Sequence, residues 1–154
     1  MIKVNVILNE NKWKYYLKNP NRFLKNKISL INKKNNFCKN KILIFSLLLT
    51  STKEIKELNK RFRNKNQSTD VLSFPFYDKK LLKKIIKKDK EIYIGDVIVN
   101  LDKIKDKNDK VNFTNNFNEL WIHGLIHLFG HKHKKDKDFF EMNKIEKRYF
   151  KYIN

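Results

Sequence analysis

Residues 42–49 read ILIFSLLL, the longest apolar run in the chain. The run is strand length, far short of the ~20 residues a membrane helix needs. It does not alternate, so both sides of the segment are apolar, as in a central strand covered on each face. The neighbouring segments supply the covers. Ser51-Thr52 offers an N-cap and Glu54 stands three residues after Ser51, a capping-box spacing, which predicts a helix to about Lys60. Upstream, residues 2–8 (IKVNVIL) alternate like a strand, and residues 11–34 read as helix broken near Pro20, whose ring lacks an N–H. Downstream, residues 71–76 (VLSFPF) form a short strand with Pro75 at an edge or a strand end. Residues 79–90 hold the Lys-rich stretch LLKKIIKKDK, a solvated helix or hairpin arm rather than a dedicated RNA contact. Residues 92–99 (IYIGDVIV) are a strand in which Gly95 marks a bulge or a close approach. Residues 114–129 are helical, and 136–152 form a closing amphipathic helix. The order β-α-β-α-β-β-α-α predicts an α+β fold: one domain over 1–154, with helices packed on a small mixed sheet.

The chain has 154 residues, 40% of them hydrophobic and 13% aromatic, which suffices for one compact core and excludes wholesale disorder. Its net charge of +20 favours a polyanion: RNA, DNA, the ribosome or an anionic membrane surface. Composition discounts that charge. There are 32 Lys but 4 Arg, 21 Asn and no Ala, the pattern of a genome drifted towards AT-rich codons. The charge therefore supports a nucleic-acid partner only weakly. Cys38 is the single cysteine, which excludes an internal disulfide and a Cys-based zinc site and reads as a small packed residue. The N-terminal MIKVNVILNE lacks the apolar core of a signal peptide. The expected location is the cytoplasm, with no membrane partner.

All 4 histidines, His123, His127, His131 and His133, fall in HGLIHLFGHKH. His123 and His127 are four apart, so on a helix both rings leave one face a turn apart. On a helical wheel Phe117, Leu120, Trp121, Gly124, Leu125 and Leu128 share one side, and Ile122, Ile126 and Phe129 extend that arc. The two histidines fall in the gap between its ends, on a largely buried helix, facing a cleft. Gly130 can take the left-handed conformation that ends a helix, after which the chain can return His133 to the same point. Three converging imidazoles leave a fourth position open, the pattern of a catalytic rather than a structural zinc. Nickel, copper and iron also accept imidazole. His131 competes with His133 as third ligand; His133 is favoured because a returning chain needs length. The predicted cofactor is thus one zinc ion (Zn2+), in a site at the end of a C-terminal helix.

The same histidine spacing occurs in metzincin proteases, H-E-x-x-H-x-x-G-x-x-H, where the Glu beside the first His is the general base. Here that position is Gly124, which argues against a peptidase of that class.

HGLIHLFGHKH resembles the H-G-x-L-H-L-x-G-[YH]-D-H motif of the YbeY family of bacterial rRNA maturation endoribonucleases. NKRFRNKNQSTDVLSFPF at 59–76 resembles the family stretch N-x-x-[YF]-R-x-x-D-x-P-T-D-V-L-S-F-P, and IGDVIVN at 94–100 resembles its L-G-D-I-x-I. The three lie in family order and spacing, and the resemblance covers nearly the whole chain. The resemblance implies a zinc-dependent, single-strand-specific endoribonuclease in late 16S rRNA 3′-end maturation and ribosome quality control. Its implied partners are rRNA and the small ribosomal subunit. Carried over by position, it implies His123, His127 and His133 as zinc ligands and Arg63 as the functionally important arginine. Lys132 stands where the family has Asp, Asn66 where the R-x-x-D acid falls, and Ser68 where the proline falls.

The chemistry of these residues agrees. Phosphodiester hydrolysis needs an activated nucleophile and neutralised phosphate charge, and a guanidinium can hold two phosphate oxygens at once. Arg63 can equally be an ordinary helix-end arginine. Asp70 and Asp96 can each orient a histidine or cap a turn. The general base is not legible. The competing readings are a basic RNA-binding ribosome-assembly module with a structural metal and little catalysis, and a metallohydrolase acting on another ester or a peptide.

Overall fold

The computed structural model describes residues 1–35, 40–132 and 136–154. Cys38, His133, Lys134 and Lys135 lie outside these segments. The elements are strand β1 (Ile2–Leu8), helices α1 (Trp13–Tyr16) and α2 (Pro20–Lys34), strand β2 (Ile42–Thr50), helix α3 (Thr52–Arg63), strand β3 (Val71–Pro75), helix α4 (Lys79–Lys88), strand β4 (Glu91–Asn100), helix α5 (Lys110–Leu128) and helix α6 (Asp136–Ile153). The Lys-rich segment is thus a helix, α4, between β3 and β4, which the predicted order did not contain. Its start is fixed by Asp78, whose side chain accepts from Leu81 N. Pro20 opens α2 at its first turn instead of breaking a longer helix, because the missing N–H is unneeded there.

The four strands form one mixed sheet in the order β1-β2-β4-β3. β1 and β4 flank β2 in parallel, while β3 runs antiparallel to β4 at the edge. Pro75 ends that edge strand, where no ladder partner needs its N–H. β2 lies in the interior of the sheet. Its Leu43, Phe45, Leu47 and Leu49 join the main core with Ile28 and Ile31 of α2, Trp121 of α5 and Tyr149 of α6. Leu48 joins a smaller cluster, with Ile55 and Leu58 of α3 and Leu72, Phe74 and Ile98, on the other face.

Gly95 carries the predicted bulge. Ile44 pairs with Tyr93 and Phe45 with Gly95, so the register skips Ile94. The surplus residue changes which face each side chain sees. Ile92 and Ile94 before it and Val97 and Val99 after it all enter the main core, although their positions differ in parity. Tyr93 is left on the same side as Asp96, to which its hydroxyl donates at 2.5 Å. Gly95 has φ +132°, and a Cβ there would meet Phe74 O at 2.2 Å, so only glycine fits.

The capping box does not form. Ser51 makes no side-chain cap bond, and Glu54 instead accepts from Thr50 Oγ1 and Asn9 Nδ2, each at 2.6 Å. The N-terminus of α3 is capped from a distance: Asp102, in the 3-10 turn Leu101–Lys103, accepts from Thr52 N at 2.9 Å. Among the described residues, no helix is long and apolar enough to cross a membrane.

Candidate active site

α5 is mostly buried from Phe117 onward and approaches the sheet closely at Gly124. A Cβ there would lie 2.4 Å from Val97 Cγ1 and 3.1 Å from Ser73 Oγ. That contact turns the neighbouring turns of the helix so that His123 and His127 emerge at its partly exposed margin. Their Nε2 atoms stand 3.0 Å apart. Both Nδ1 atoms are already committed: His123 Nδ1 to Glu146 Oε1 of α6 at 2.8 Å, and His127 Nδ1 to the His131 carbonyl at 2.8 Å.

These partners decide the tautomers. A carbonyl oxygen only accepts, so His127 carries its proton on Nδ1, and the Glu146 carboxylate imposes the same on His123. Each Nε2 then turns a lone pair towards the other. Two lone pairs at 3.0 Å repel unless a cation, a proton or a metal ion, lies between them. Bonds of 2.0–2.1 Å at a tetrahedral angle separate two nitrogen ligands by about 3.3 Å, close to the spacing seen. A carboxylate and a backbone carbonyl on the distal nitrogens are also the usual orienting partners of metal-binding histidines. The pair therefore fits a metal ion. Among the described residues, no group of three or more His, Cys, Asp or Glu side chains forms a metal cluster.

Gly130 shapes the second of these hydrogen bonds. Its φ of +82° lets the chain reverse after α5, with Gly130 N donating to His127 O at 2.9 Å, and this brings the His131 carbonyl back to His127. Lys79 N stands 2.7 Å from where a Cβ on Gly130 would be, so α4 packs directly on the turn. His131 thus acts on His127 through its backbone. Its ring lies beside α4, where burial first, then the Lys79 charge, lowers its pKa.

Two clefts meet at the pair. His123 opens on one lined by Asp70, Glu119, Glu146, Lys147 and Phe150. His127 opens on the other, lined by Arg63, Ser73, Phe76, Tyr77, His131 and Lys132. The first sets Asp70, Glu119 and Glu146 against Lys147 and Lys151, and the second sets Arg63 and Lys132 against Asp78, so the second is the side that attracts a polyanion. Arg63, from the end of α3, donates through Nη2 to Ser73 O at 2.7 Å, and its guanidinium lies 5.4 Å over the Phe74 ring. One bond leaves the guanidinium with donors for a ligand. Its backbone is set by Asn59, buried in α3, whose Nδ2 donates to Gln67 O at 2.8 Å and ties down the loop after the helix.

Sequence reasoning brought His123, His127 and Arg63 to one place, and the structure does so too. Asp70 and Asp96 cap and tether instead of touching a histidine: Asp70 Oδ1 accepts from Thr69 Oγ1 and Val71 N, and Asp96 accepts from Tyr93. The carboxylate that does orient a histidine, Glu146, was missed. It carries no motif, and only the tertiary packing of α6 on α5 brings it near.

The sequence description of one family, Endoribonuclease YbeY, matches residues 6–154. A Pelagibacter ubique protein named Endoribonuclease YbeY is 39% identical over 99% of this chain and 97% of its own length. An Ehrlichia canis protein of the same name is 31% identical over 95% of this chain and 88% of its own length. A solution structure from Thermotoga maritima matches with a TM-score of 0.59 and 28% identity, covering 99% of this chain and 89% of that one.

Proposed function

Because the chain belongs to the YbeY endoribonuclease family, we propose that it is a zinc-dependent, single-strand-specific endoribonuclease. Its substrate is the rRNA of the small ribosomal subunit, in late 16S rRNA 3′-end maturation and ribosome quality control, and its compartment is the cytoplasm. The observation that carries the metal in this reading is the His123–His127 pair, with converging Nε2 atoms and both Nδ1 atoms occupied. His123, His127 and His133 would hold the ion. Bound there, zinc supplies Lewis acidity, neutralising phosphate charge and making water a competent nucleophile near neutral pH.

The chain's own residues do the rest. Glu146 and the His131 carbonyl hold the two imidazoles in the tautomer that presents Nε2. The Arg63 guanidinium, steadied by the Ser73 carbonyl and the Phe74 ring, clamps the phosphate of the scissile link with its remaining donors. Gly124 leaves no room for a carboxylate beside the first histidine, so the base cannot sit where metzincins have it. Lys132 lines the same cleft as Arg63 and adds positive charge where the family has an acid. It favours RNA binding and weakens the metal site, which is the basis for the second reading, an RNA-binding module with little catalysis.

The test is metal content and cleavage measured together on untagged protein. Native protein should hold close to one equivalent of zinc and cut a single-stranded rRNA precursor, and chelation should stop it. His123→Ala should lose the metal and the cleavage. Glu146→Ala should retain the fold and bind zinc roughly 10–100-fold more weakly by competition with a chromogenic chelator. Full zinc occupancy in His123→Ala would refute the metal site. Zinc retention without RNA cleavage in the native protein would favour the second reading.

A further inference from the structure

The face of the sheet that α3 covers is only half covered. Beyond the small cluster around Ile55, a group of rings remains at the surface: Phe62 is 59% exposed, Phe76 67% and Tyr93 37%. Phe76 meets Tyr77 at 5.1 Å and Tyr93 at 6.3 Å between ring centroids, both edge-on, and Phe62 meets Phe74 at 5.6 Å. These rings are held firmly. The Tyr93 hydroxyl donates to Asp96 and lies 2.7 Å from Ser46 Oγ, while Phe76 N donates to Ile94 O, prolonging the pairing past the end of β3. Burial, then the Asp96 hydrogen bond, raises the Tyr93 pKa, so the phenol stays protonated as a donor.

Cations lie on the same ledge. The Arg61 guanidinium is 5.3 Å over Phe62, and that of Arg63 is 5.4 Å over Phe74. The chain has 32 Lys and 4 Arg, so two of its few arginines are placed here. Where lysine is the default cation, keeping a planar guanidinium points to a flat, stacking ligand surface rather than to charge alone. The ledge is continuous with the histidine site, because Phe76 and Tyr77 also line the cleft of His127 and Arg63.

Resting on the endoribonuclease reading, we propose that Phe76 and Tyr93 form a stacking platform for nucleobases of single-stranded RNA. They receive the strand beside the edge of β3 as it leads to the histidine pair, while Arg61 and Arg63 track its phosphates. Exposed rigid rings flanked by guanidinium groups suit a strand whose bases are unpaired, and every base has a face to stack, so the platform is tolerant of sequence. A duplex has its base faces occupied and gains nothing there.

The experiment is equilibrium binding of a labelled 2′-O-methyl RNA strand of about 12 nucleotides, against an abasic strand of the same length. Phe76→Ala should weaken binding of the base-bearing strand about tenfold and leave the abasic strand within about twofold. Phe76→Trp should keep native affinity, and its new indole should be quenched by RNA, since Trp13 and Trp121 are fully buried and cannot stack on a strand. Tyr15→Ala, at a ring 86% exposed on α1, should change nothing. Native affinity in Phe76→Ala, or equal losses for both strands, or a matching loss in Tyr15→Ala, overturns the platform; the first would leave the ledge to a protein partner. Cleavage by native protein is scored separately. Protein that cuts RNA with no effect of Phe76 loses the platform and keeps the function. Protein that binds through Phe76 but does not cut keeps the platform and loses the nuclease.

Discussion

Gly124 illustrates how a single residue serves position and chemistry together. It fits against Val97 and Ser73 with no space for a Cβ. Gly124→Ala should therefore push α5 off the sheet and destabilise the protein by roughly 1–3 kcal/mol, the usual effect of overpacking, visible as a lower denaturant midpoint. An unchanged midpoint would show that the helix has slack. The sequence alone marks Gly124 as a missing base; the geometry shows that the position faces the sheet and could never have carried one. His123, His127 and Arg63 were legible because local spacing and motif carry them. Glu146 was not, because its role exists only once α6 is laid against α5.

Elements are joined by polar caps as well as by the core. Asp102 fastens the start of α3 to the turn after β4, and the Thr52 N–H, as the largest influence, holds its pKa below the ordinary 3.8. A depressed carboxylate pKa means that the unfolded chain takes up the proton first. The stabilisation is thus fully present above pH 3.8 and lost as pH falls through the lower, folded value. Asp102→Asn, whose amide oxygen can still accept from Thr52 N, should be less stable than the native protein at neutral pH by roughly 0.3–1 kcal/mol, the worth of an exposed charge at a helix N-terminus, and the gap should close in strong acid. Paired urea melts at pH 7 and below pH 3 check this; a gap that persists in acid would mean that the charge is irrelevant. The strands and most of the helices were readable from periodicity, α4 excepted, whereas this cap was not. The capping-box spacing at Ser51 and Glu54 is real, but Thr50 and Asn9 compete for the glutamate and win.

Across the whole molecule, the +20 charge is uneven in meaning. The sequence groups Lys83, Lys84, Lys87, Lys88 and Lys90 as one run outside both motifs, but α4 begins against the Gly130 turn. Lys79 and Lys83 therefore stand beside His131, lining one cleft with Arg148. Lys87 and Lys88 lie at the far end of the helix, about 12 Å beyond Lys79 at its rise of ~1.5 Å per residue. Neutralising Lys79 and Lys83 to Gln should weaken single-stranded RNA binding and flatten its log–log salt dependence by ~0.7 for each phosphate that is no longer neutralised. The same change at Lys87 and Lys88 should do much less. Equal losses from both pairs in a salt titration would mean that the surface attracts RNA diffusely. That distinction could not be drawn from composition, since drift and selection leave the same lysines.

The surplus residue in β4 also sets a phase. Before Gly95, even-numbered positions look to the core; after it, odd-numbered ones do. Deleting the surplus residue would leave every face as it is. Straightening the strand there with its residue count kept would exchange inside and outside for half of it, sending Tyr93 inward and Ile94 out, and erasing with one frame slip the surface proposed to receive an RNA strand.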